Sequence, residues 1–344
     1  AYAYRDYRTD ESIPAVHKII PFERLYEISG IQFQKFNSVY QLYHDKMVGR
    51  LDKAKDFLMM PEYFMWKLTG IKRKEYTEGS TMALYDGKTF KPSDEIIEKL
   101  GFPSFVKQDV YKPGTILGPL KEEIQEEVGG NINVVLCATH DTASAFEALN
   151  LANHSIFISS GTWSILGIKS PKVISNKAAY QANYSNEYGP NYIRFLKNIM
   201  GMWIINSLSK EIDMSVVDMV KLAKKSKYTE IFDVNQNDFY APSNMKEAIL
   251  NYFKARKMVM PKDDGDIINS VYHSLAYSYK TAIDELEKIT ERTYTAIYIV
   301  GGGAKNVYLN NLVSHYTEKK VIALPIEATS IGNIRVQMEA DPNK

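Results

Sequence analysis

The run Thr139-His140-Asp141-Thr142 brings a carboxylate, an imidazole and two hydroxyl groups together directly after a short apolar segment. That segment, residues 131–137, is rich in β-branched residues and predicts a buried strand. Open α/β sheets bind their ligands at the carboxyl ends of strands, where Asp141 would lie. A carboxylate there can accept the proton of a hydroxyl group that attacks a phosphate. Asp141 is therefore a candidate general base.

Two other roles for Asp141 stay open. It could cap a helix that begins near Ala143, and its spacing by itself favours this capping role. His140 and Asp141 could also bind a metal ion. That role needs further ligands, and none stands at a diagnostic spacing, so we predict no resident metal site.

A second candidate is the turn Ser160-Gly161-Thr162. It lies between β-rich runs at residues 155–159 and 163–168, so the pattern predicts a β-hairpin. The hairpin tip would present backbone N–H groups and the Thr162 hydroxyl, which suit phosphate oxygens. An ordinary hairpin turn has the same composition.

The third candidate is the run Gly301-Gly302-Gly303, which lies between a predicted strand at 295–300 and a predicted helix at 306–316. A further strand at 321–324 completes a βαβ order. The glycines allow a ligand close to the backbone, and a helix start favours an anion. The spacing matches neither the dinucleotide fingerprint nor the Walker loop.

A fourth candidate is Asn198, which with Lys197 interrupts an apolar run at residues 195–203. The alternatives are a helix cap for Asn198 and a solvated side chain for Lys197. If the segment is a helix, Asn206 and Asn198 project roughly to one side of it.

Helices must support most of these candidates. We expect a mainly helical chain up to residue 100, with a helix at 21–28 ending at Gly30 and one at 94–100 capped by Ser93. A helix at 58–70 carries Met and aromatic residues that we expect in the core. Asp266 is expected to cap a long amphipathic helix. Its apolar face contains Ile267, Val271, Leu275, Tyr279, Ile283 and Leu286.

Composition limits the class of protein. The 344 residues suffice for two domains, and 42 basic against 41 acidic side chains give a formal charge of +1, with no electrostatic reason to expect a nucleic-acid partner. Cys137, the one cysteine, is expected in the core. We find no signal peptide and no apolar segment that could span a membrane, and we expect a cytoplasmic protein.

In one order along nearly the whole chain, these residues resemble the FGGY carbohydrate kinases, and within them the rhamnulokinases. The early motifs that carry the resemblance are Tyr4-Arg5-Asp6 with Arg8-Thr9, Gly30-Ile31-Gln32-Phe33, Met60-Pro61-Glu62-Tyr63-Phe64, Leu68-Thr69-Gly70 and Glu75-Tyr76-Thr77. The later ones are His140–Ala145, Ser159–Ser164, Leu196–Gly201 with Trp203, Val300–Gly303, and Pro325-Ile326-Glu327-Ala328 with Gly332-Asn333.

The resemblance implies an α/β fold of the actin-like ATPase (ribonuclease H-like) type, with two lobes and an active-site cleft. Residues 1–150 would be the remainder of the N-terminal, sugar-binding lobe and residues 151–344 the C-terminal, nucleotide-binding lobe. It also implies ATP-dependent phosphorylation of L-rhamnulose at its 1-hydroxyl with Mg²⁺, and Asp141 as the general base. The alternatives are L-fuculokinase or another ketose kinase, and a non-catalytic sugar- or nucleotide-binding relative.

By the same resemblance, His140 and Thr142 line the sugar, and Asn198 reaches it from the second lobe. Thr162 contacts the nucleotide phosphates. Three glycines, Gly301, Gly302 and Gly303, approach the adenosine side. Asn206 occupies a nucleotide-contact position where some relatives carry Gln.

One feature of the family has no counterpart in this sequence. Family members open with a β-hairpin that bears an Asp-Gly phosphate loop, and the resemblance begins after it. The sequence also stops soon after Asn333. For a molecule limited to these residues, we expect poor folding and no kinase activity. The oligomeric state is not predicted.

Overall fold

The computed structural model describes residues 6–152, 154–324 and 327–340. Four residues of the sequence motifs, Tyr4, Arg5, Pro325 and Ile326, lie outside the described residues. Within these ranges, no helix has the length and apolar character that crossing a membrane requires.

Helices dominate the first third of the described chain, as the sequence predicts. The helices are α1 Ser12–Ile19, α2 Phe22–Ser29, α3 Ser38–Met47, α4 Met60–Thr69, α5 Tyr76–Ser80, α6 Asp94–Lys99, α7 Glu122–Val128, α8 Asp141–Glu147, α9 Lys177–Gln181, α10 Trp203–Glu211, α11 Val216–Ala223, α12 Met245–Ala255, α13 Asp264–Thr290, α14 Val307–Thr317 and α15 Ala328–Glu339. Short 3₁₀ helices lie at Leu51–Lys53, Ser104–Val106, Asn237–Phe239 and Gly302–Lys305.

Strands are concentrated in the second half. They are β1 Lys74–Glu75, β2 Val110–Tyr111, β3 Ile116–Pro119, β4 Asn133–Val135, β5 Ser155–Ser160, β6 Trp163–Ser170, β7 Ser185–Tyr188, β8 Ile193–Met200, β9 Ala296–Val300 and β10 Lys320–Ala323. The described chain divides into two compact units. Unit 1 comprises the described residues of Ala1–Asn150, Lys169–Leu196 and Ala328–Lys344, and unit 2 those of Leu151–Ile168 and Lys197–Glu327.

Unit 1 is built from helices and short strand pairs. β1 pairs in parallel with β2, whereas β3 with β4 and β7 with the first half of β8 are antiparallel. Apolar side chains from α1, α2, α3 and α6, including Val16, Leu25, Val39 and Ile96, form one core. Helix α15 packs closely on α8, because a Cβ at Gly332 would lie 1.7 Å from the carbonyl oxygen of Ser144.

Unit 2 contains the predicted βαβ order. β10, β9 and β5 are parallel neighbours, and β6 pairs antiparallel with β5. The predicted apolar face of α13 is buried: Ile267, Val271, Leu275, Tyr279, Ile283 and Leu286. This burial confirms the helix and its face.

The local signals for helix ends are mostly confirmed. Gly30 ends α2 with a φ of 70°, and Ser93 Oγ accepts a hydrogen bond from the backbone N–H of Ile96 at the start of α6. Cys137 is buried as predicted. The cap of α13 was predicted wrongly: Asp263 accepts the hydrogen bond of the Asp266 N–H, and Asp266 lies in the first turn.

The predicted core role of α4 is also wrong in the described structure. Its aromatic and Met side chains are largely exposed, with Phe64 58% exposed. The buried residue of the helix is Glu62. Its carboxylate accepts hydrogen bonds from the backbone N–H groups of Met59 and Glu75.

Candidate functional site

The first candidate group, His140-Asp141-Thr142, lies at the start of α8 in unit 1. The strand before it, β4, is three residues long, at least partly exposed and antiparallel to β3. The expectation that Asp141 follows a buried strand of an open α/β sheet is therefore wrong. Asp141 lies in the first turn of helix α8 instead.

The carboxylate of Asp141 is open to the surroundings, with 79% of the side chain exposed. Its Oδ1 accepts hydrogen bonds from the Thr142 N–H at 2.5 Å and the Thr142 hydroxyl at 3.1 Å, and lies 3.5 Å from His140 Nδ1. The helix begins at Asp141 itself and His140 is its N-cap, so the predicted capping of a later helix is wrong. Asp141 is thus fixed on one side and accessible on the other.

The charge state of Asp141 suits a base. Desolvation by nearby protein atoms acts to raise its pKa, although the side chain is exposed. The charges of His140 and Arg194 and the hydrogen bonds from Thr142 outweigh that effect, so the pKa of Asp141 is lowered below its usual value. The carboxylate is therefore ionised at neutral pH and able to accept a proton.

The second candidate, Thr162, lies at the tip of the predicted hairpin in unit 2. β5 ends at Ser160 and β6 begins at Trp163, so Gly161 and Thr162 form the loop between the two strands. The carbonyls of Gly161 and Thr162 accept hydrogen bonds from the Met202 and Trp203 N–H groups at 2.8 and 3.2 Å. The start of α10 thereby holds the loop while the Thr162 residue stays exposed.

The three glycines have different roles in the loop after β9. Gly301 has a φ of 81°, which favours glycine, and a Cβ there would lie 2.9 Å from the Ser160 carbonyl oxygen. A Cβ at Gly303 would lie 2.0 Å from Ser160 Oγ, whereas one at Gly302 would meet nothing within 4 Å. Two glycines thus let the loop pack against the end of β5. Gly302 leaves open space beside it.

A cavity of about 610 Å³ in unit 2 brings four predicted residues together. Thr162, Asn206, Gly302 and Gly303 all line it. Its apolar lining includes Val216, Val217, Val220 and Tyr308, and its basic side chains are Lys221, Lys224 and Lys305. An apolar wall beside amines and a glycine loop can hold a flat heterocycle together with phosphate groups.

Asn198 does not lie where the helical interpretation expected it. It belongs to strand β8, and Asn206 lies on α10, so the two side chains share no helix face. Lys197 is not simply solvated either, because its Nζ lies 2.6 Å from Glu285 Oε2. The apolar run from Ile193 to Met200 is a strand, in which an eight-residue spacing has no helical meaning.

Sequence reasoning missed two features, one in each unit. The valines of α11 that line the cavity could have been found from their helical spacing, since residues 216, 217 and 220 share a face. The contact of Glu75 with Thr139 could not, because the two residues are far apart in the sequence and pair only in the fold. The motif Glu75-Tyr76-Thr77 is part of the family resemblance, but the sequence alone indicates no role for it.

Known proteins and family models are similar to this chain along nearly its whole length. The model of the N-terminal domain of the FGGY family of carbohydrate kinases matches residues 1–146, and that of the C-terminal domain matches residues 156–340. A rhamnulokinase of Oceanobacillus iheyensis is 43% identical over 99% of this chain and 73% of its own length. A rhamnulokinase of Halalkalibacterium halodurans is 42% identical over 99% of this chain and 74% of its own.

Solved structures are similar in backbone geometry at much lower identity. The xylulose kinase of Lactobacillus acidophilus has a TM-score of 0.81 at 13% identity, covering 98% of this chain and 70% of that one. The glycerol kinase of Plasmodium falciparum with ADP has a TM-score of 0.77 at 15% identity, covering 99% and 70%. At such low sequence identity, the similarity to these structures shows the fold alone.

Proposed function

We propose that this chain, which belongs to the FGGY family of carbohydrate kinases, phosphorylates L-rhamnulose at the 1-hydroxyl. ATP-dependent phosphorylation of a sugar is the reaction of the family, and the fold is the predicted α/β fold of the actin-like ATPase type. The observation that carries the choice of sugar is the identity to rhamnulokinases along nearly the whole chain. The reaction would serve the breakdown of rhamnose.

In this proposal Asp141 accepts the proton of the sugar hydroxyl as that oxygen attacks the γ-phosphate. Its exposed carboxylate and lowered pKa support the role, since a base must be accessible and ionised. Its neighbours His140 and Thr142 would line the sugar, and Asn198 would reach the sugar from the second lobe. Base catalysis of this kind contributes about 10²- to 10⁴-fold in rate.

Unit 2 would bind the nucleotide as MgATP. Thr162 would contact the phosphates, and Gly301, Gly302 and Gly303 would lie on the adenosine side. Asn206 would also contact the nucleotide. The 610 Å³ cavity supports this assignment, because its apolar wall fits a base and its lysines carry charge opposite to phosphate. Mg²⁺ would arrive with ATP and neutralise the charge that develops on the transferred phosphoryl group.

The proposal also divides the chain between the two substrates. Residues 1–150 would belong to the sugar-binding lobe and residues 151–344 to the nucleotide-binding lobe. Because the reaction consumes ATP, we propose that it takes place in the cytoplasm.

The test is an ADP-release assay on the full-length protein with L-rhamnulose, L-fuculose and L-xylulose, repeated with Asp141→Asn. We expect the highest kcat/KM with L-rhamnulose and a loss of about 10²- to 10⁴-fold in kcat for the variant. Calorimetry with each ligand serves as the control for folding and binding.

Two other outcomes would assign a different function, and a third would change the role of Asp141. A preference for L-fuculose or L-xylulose would make the chain another ketose kinase. Binding of sugar and ATP without product would make it a non-catalytic relative. Undiminished turnover by Asp141→Asn would remove Asp141 from the role of base.

A further inference from the structure

Glu75 is a fully buried carboxylate that touches the segment just before Asp141. Glu75 is the last residue of β1 in unit 1, and it has no exposed surface. Its Oε2 accepts hydrogen bonds from the Thr139 hydroxyl at 2.7 Å and the Thr139 N–H at 3.3 Å. A buried charged group that makes such specific contacts is costly to place, so its position calls for a physical reason.

Glu75 also caps α5. Its Oε1 accepts from the Thr77 N–H at 2.9 Å, and its Oε2 from the Glu78 N–H at 2.9 Å and the Thr77 hydroxyl at 2.6 Å. Each carboxylate oxygen therefore faces a backbone N–H, which can only donate. Burial raises the pKa of Glu75, and these hydrogen bonds oppose the rise because they favour the ionised form.

Thr77 extends the contact by one residue. Its hydroxyl donates to Glu75 and accepts a hydrogen bond of 3.3 Å from the His140 N–H. Two successive backbone N–H groups, those of Thr139 and His140, are thus held by the Glu75–Thr77 pair. The next residue is Asp141, the first of α8.

The backbone of Glu75 is in turn fixed by a second buried carboxylate, that of Glu62. Glu62 of α4 accepts the Glu75 N–H at 2.9 Å through Oε1, and its Oε2 lies 3.0 Å from the buried Lys74 Nζ. The carboxylate of Glu62 also receives the Met59 N–H at 2.8 Å. A continuous set of buried and part-buried hydrogen bonds therefore runs from the start of α4 to Thr139.

We propose that Glu75 is a positioning residue for phosphoryl transfer, acting through Thr139 to fix the direction in which Asp141 projects from α8. This inference rests on the proposed role of Asp141 as base. Because a misplacement of about 1 Å can cost about 10²-fold in rate, loss of this contact should lower kcat. A cap that served only α5 would have no reason to bind Thr139.

The kinetic test is a double-mutant cycle on the full-length protein with Glu75→Gln, Thr139→Val and the two combined. We expect each single variant to lose about 10- to 100-fold in kcat, with KM for ATP changed by less than about twofold. The double variant should lose no more than the worse single one, because both remove the same contact. Thr139→Ser, which keeps the hydroxyl, should restore most of the rate.

The matched control is Ser93→Ala, which removes the cap of α6 in the same unit without touching Thr139. It should lower the melting temperature and leave kcat unchanged. Losses that multiply in the double variant, or wild-type kcat in a folded Thr139→Val, would overturn the proposal. If Glu75→Gln does not fold, the comparison of Thr139→Val with Thr139→Ser still decides it.

A second readout separates this inference from the proposed function. Hydrogen exchange followed by mass spectrometry should show faster exchange of the Thr139 and His140 amides in Glu75→Gln and unchanged exchange in α6. Exchange at the wild-type rate would overturn the positioning role. An Asp141→Asn variant with full activity, beside faster exchange in Glu75→Gln, would instead overturn the role of Asp141 as base.

Discussion

Arg194 Nη1 lies 3.1 Å from Glu187 Oε2, and both side chains are buried in unit 1. The two residues are direct partners in the register of β7 and β8, and Arg194 Nε also donates to the Tyr188 carbonyl. The positive charge of Arg194 is one of the influences that lower the pKa of Asp141. A structural ion pair and the candidate base are therefore electrostatically connected.

Breaking the Glu187–Arg194 ion pair should destabilise the protein. We expect Glu187→Ala to lower the free energy of unfolding by about 3–5 kcal/mol, because it leaves the Arg194 charge buried without its partner. Replacing both residues, by Glu187→Leu with Arg194→Met, should cost much less, since no charge remains to be compensated. Urea unfolding measures both, and equal losses in the two proteins would contradict the expectation.

The same double replacement should change the pH dependence of catalysis. A base acts only when ionised, so activity is lost as the pH falls through its pKa. Removing Arg194 takes away an influence that lowers the pKa of Asp141, so the acid limb of kcat/KM should move to higher pH. His140→Gln should move it further, because His140 has the larger effect. Rates measured from about pH 8 down to below about pH 4, where a carboxyl group with a lowered pKa titrates, test this. Identical acid limbs would exclude Asp141 as the titrating base.

Much of the fold was predictable because its signals are local. The runs around Gly161-Thr162 and around Gly301–Gly303 contain β-branched residues and turn glycines in the order that the hairpin and the βαβ unit require. One error arose where a helix-compatible spacing met β-rich sequence. The spacing of Asn198 and Asn206 is compatible with a helix, but Ile193, Phe195 and Ile199 around Asn198 are strand formers.

The chemistry of the site was predictable in part. Asp141 and Thr162 carry side chains whose reactivity can be recognised from residue type and turn position. The contact of Glu75 with Thr139, and the burial of Glu62, depend on tertiary pairing, which leaves no periodic pattern in the sequence. Likewise, the sequence alone does not predict that Gly303 packs against Ser160 while Gly302 faces open space.

The glycine loop provides a matched pair of variants. Gly303→Ala should destabilise the protein by about 1–3 kcal/mol and weaken ATP binding, because its Cβ would overlap Ser160 and shift the loop. Gly302→Ala has room for its Cβ and should change stability by less than about 0.5 kcal/mol. Thermal unfolding and ATP titration measure both. Equal stability of the two variants would mean that the loop does not depend on its contact with β5.

The apolar wall of the unit 2 cavity should set the affinity for ATP. Val217 of α11 lines it and is 66% exposed, so Val217→Asp should fold normally. It should raise KM for ATP about tenfold, since it replaces an apolar contact by a charge that also repels phosphate, while KM for the sugar stays unchanged. Val259→Asp is the control, because Val259 is similarly exposed in unit 2 but does not line the cavity. If both variants, or neither, raise KM for ATP, the nucleotide base does not lie against α11.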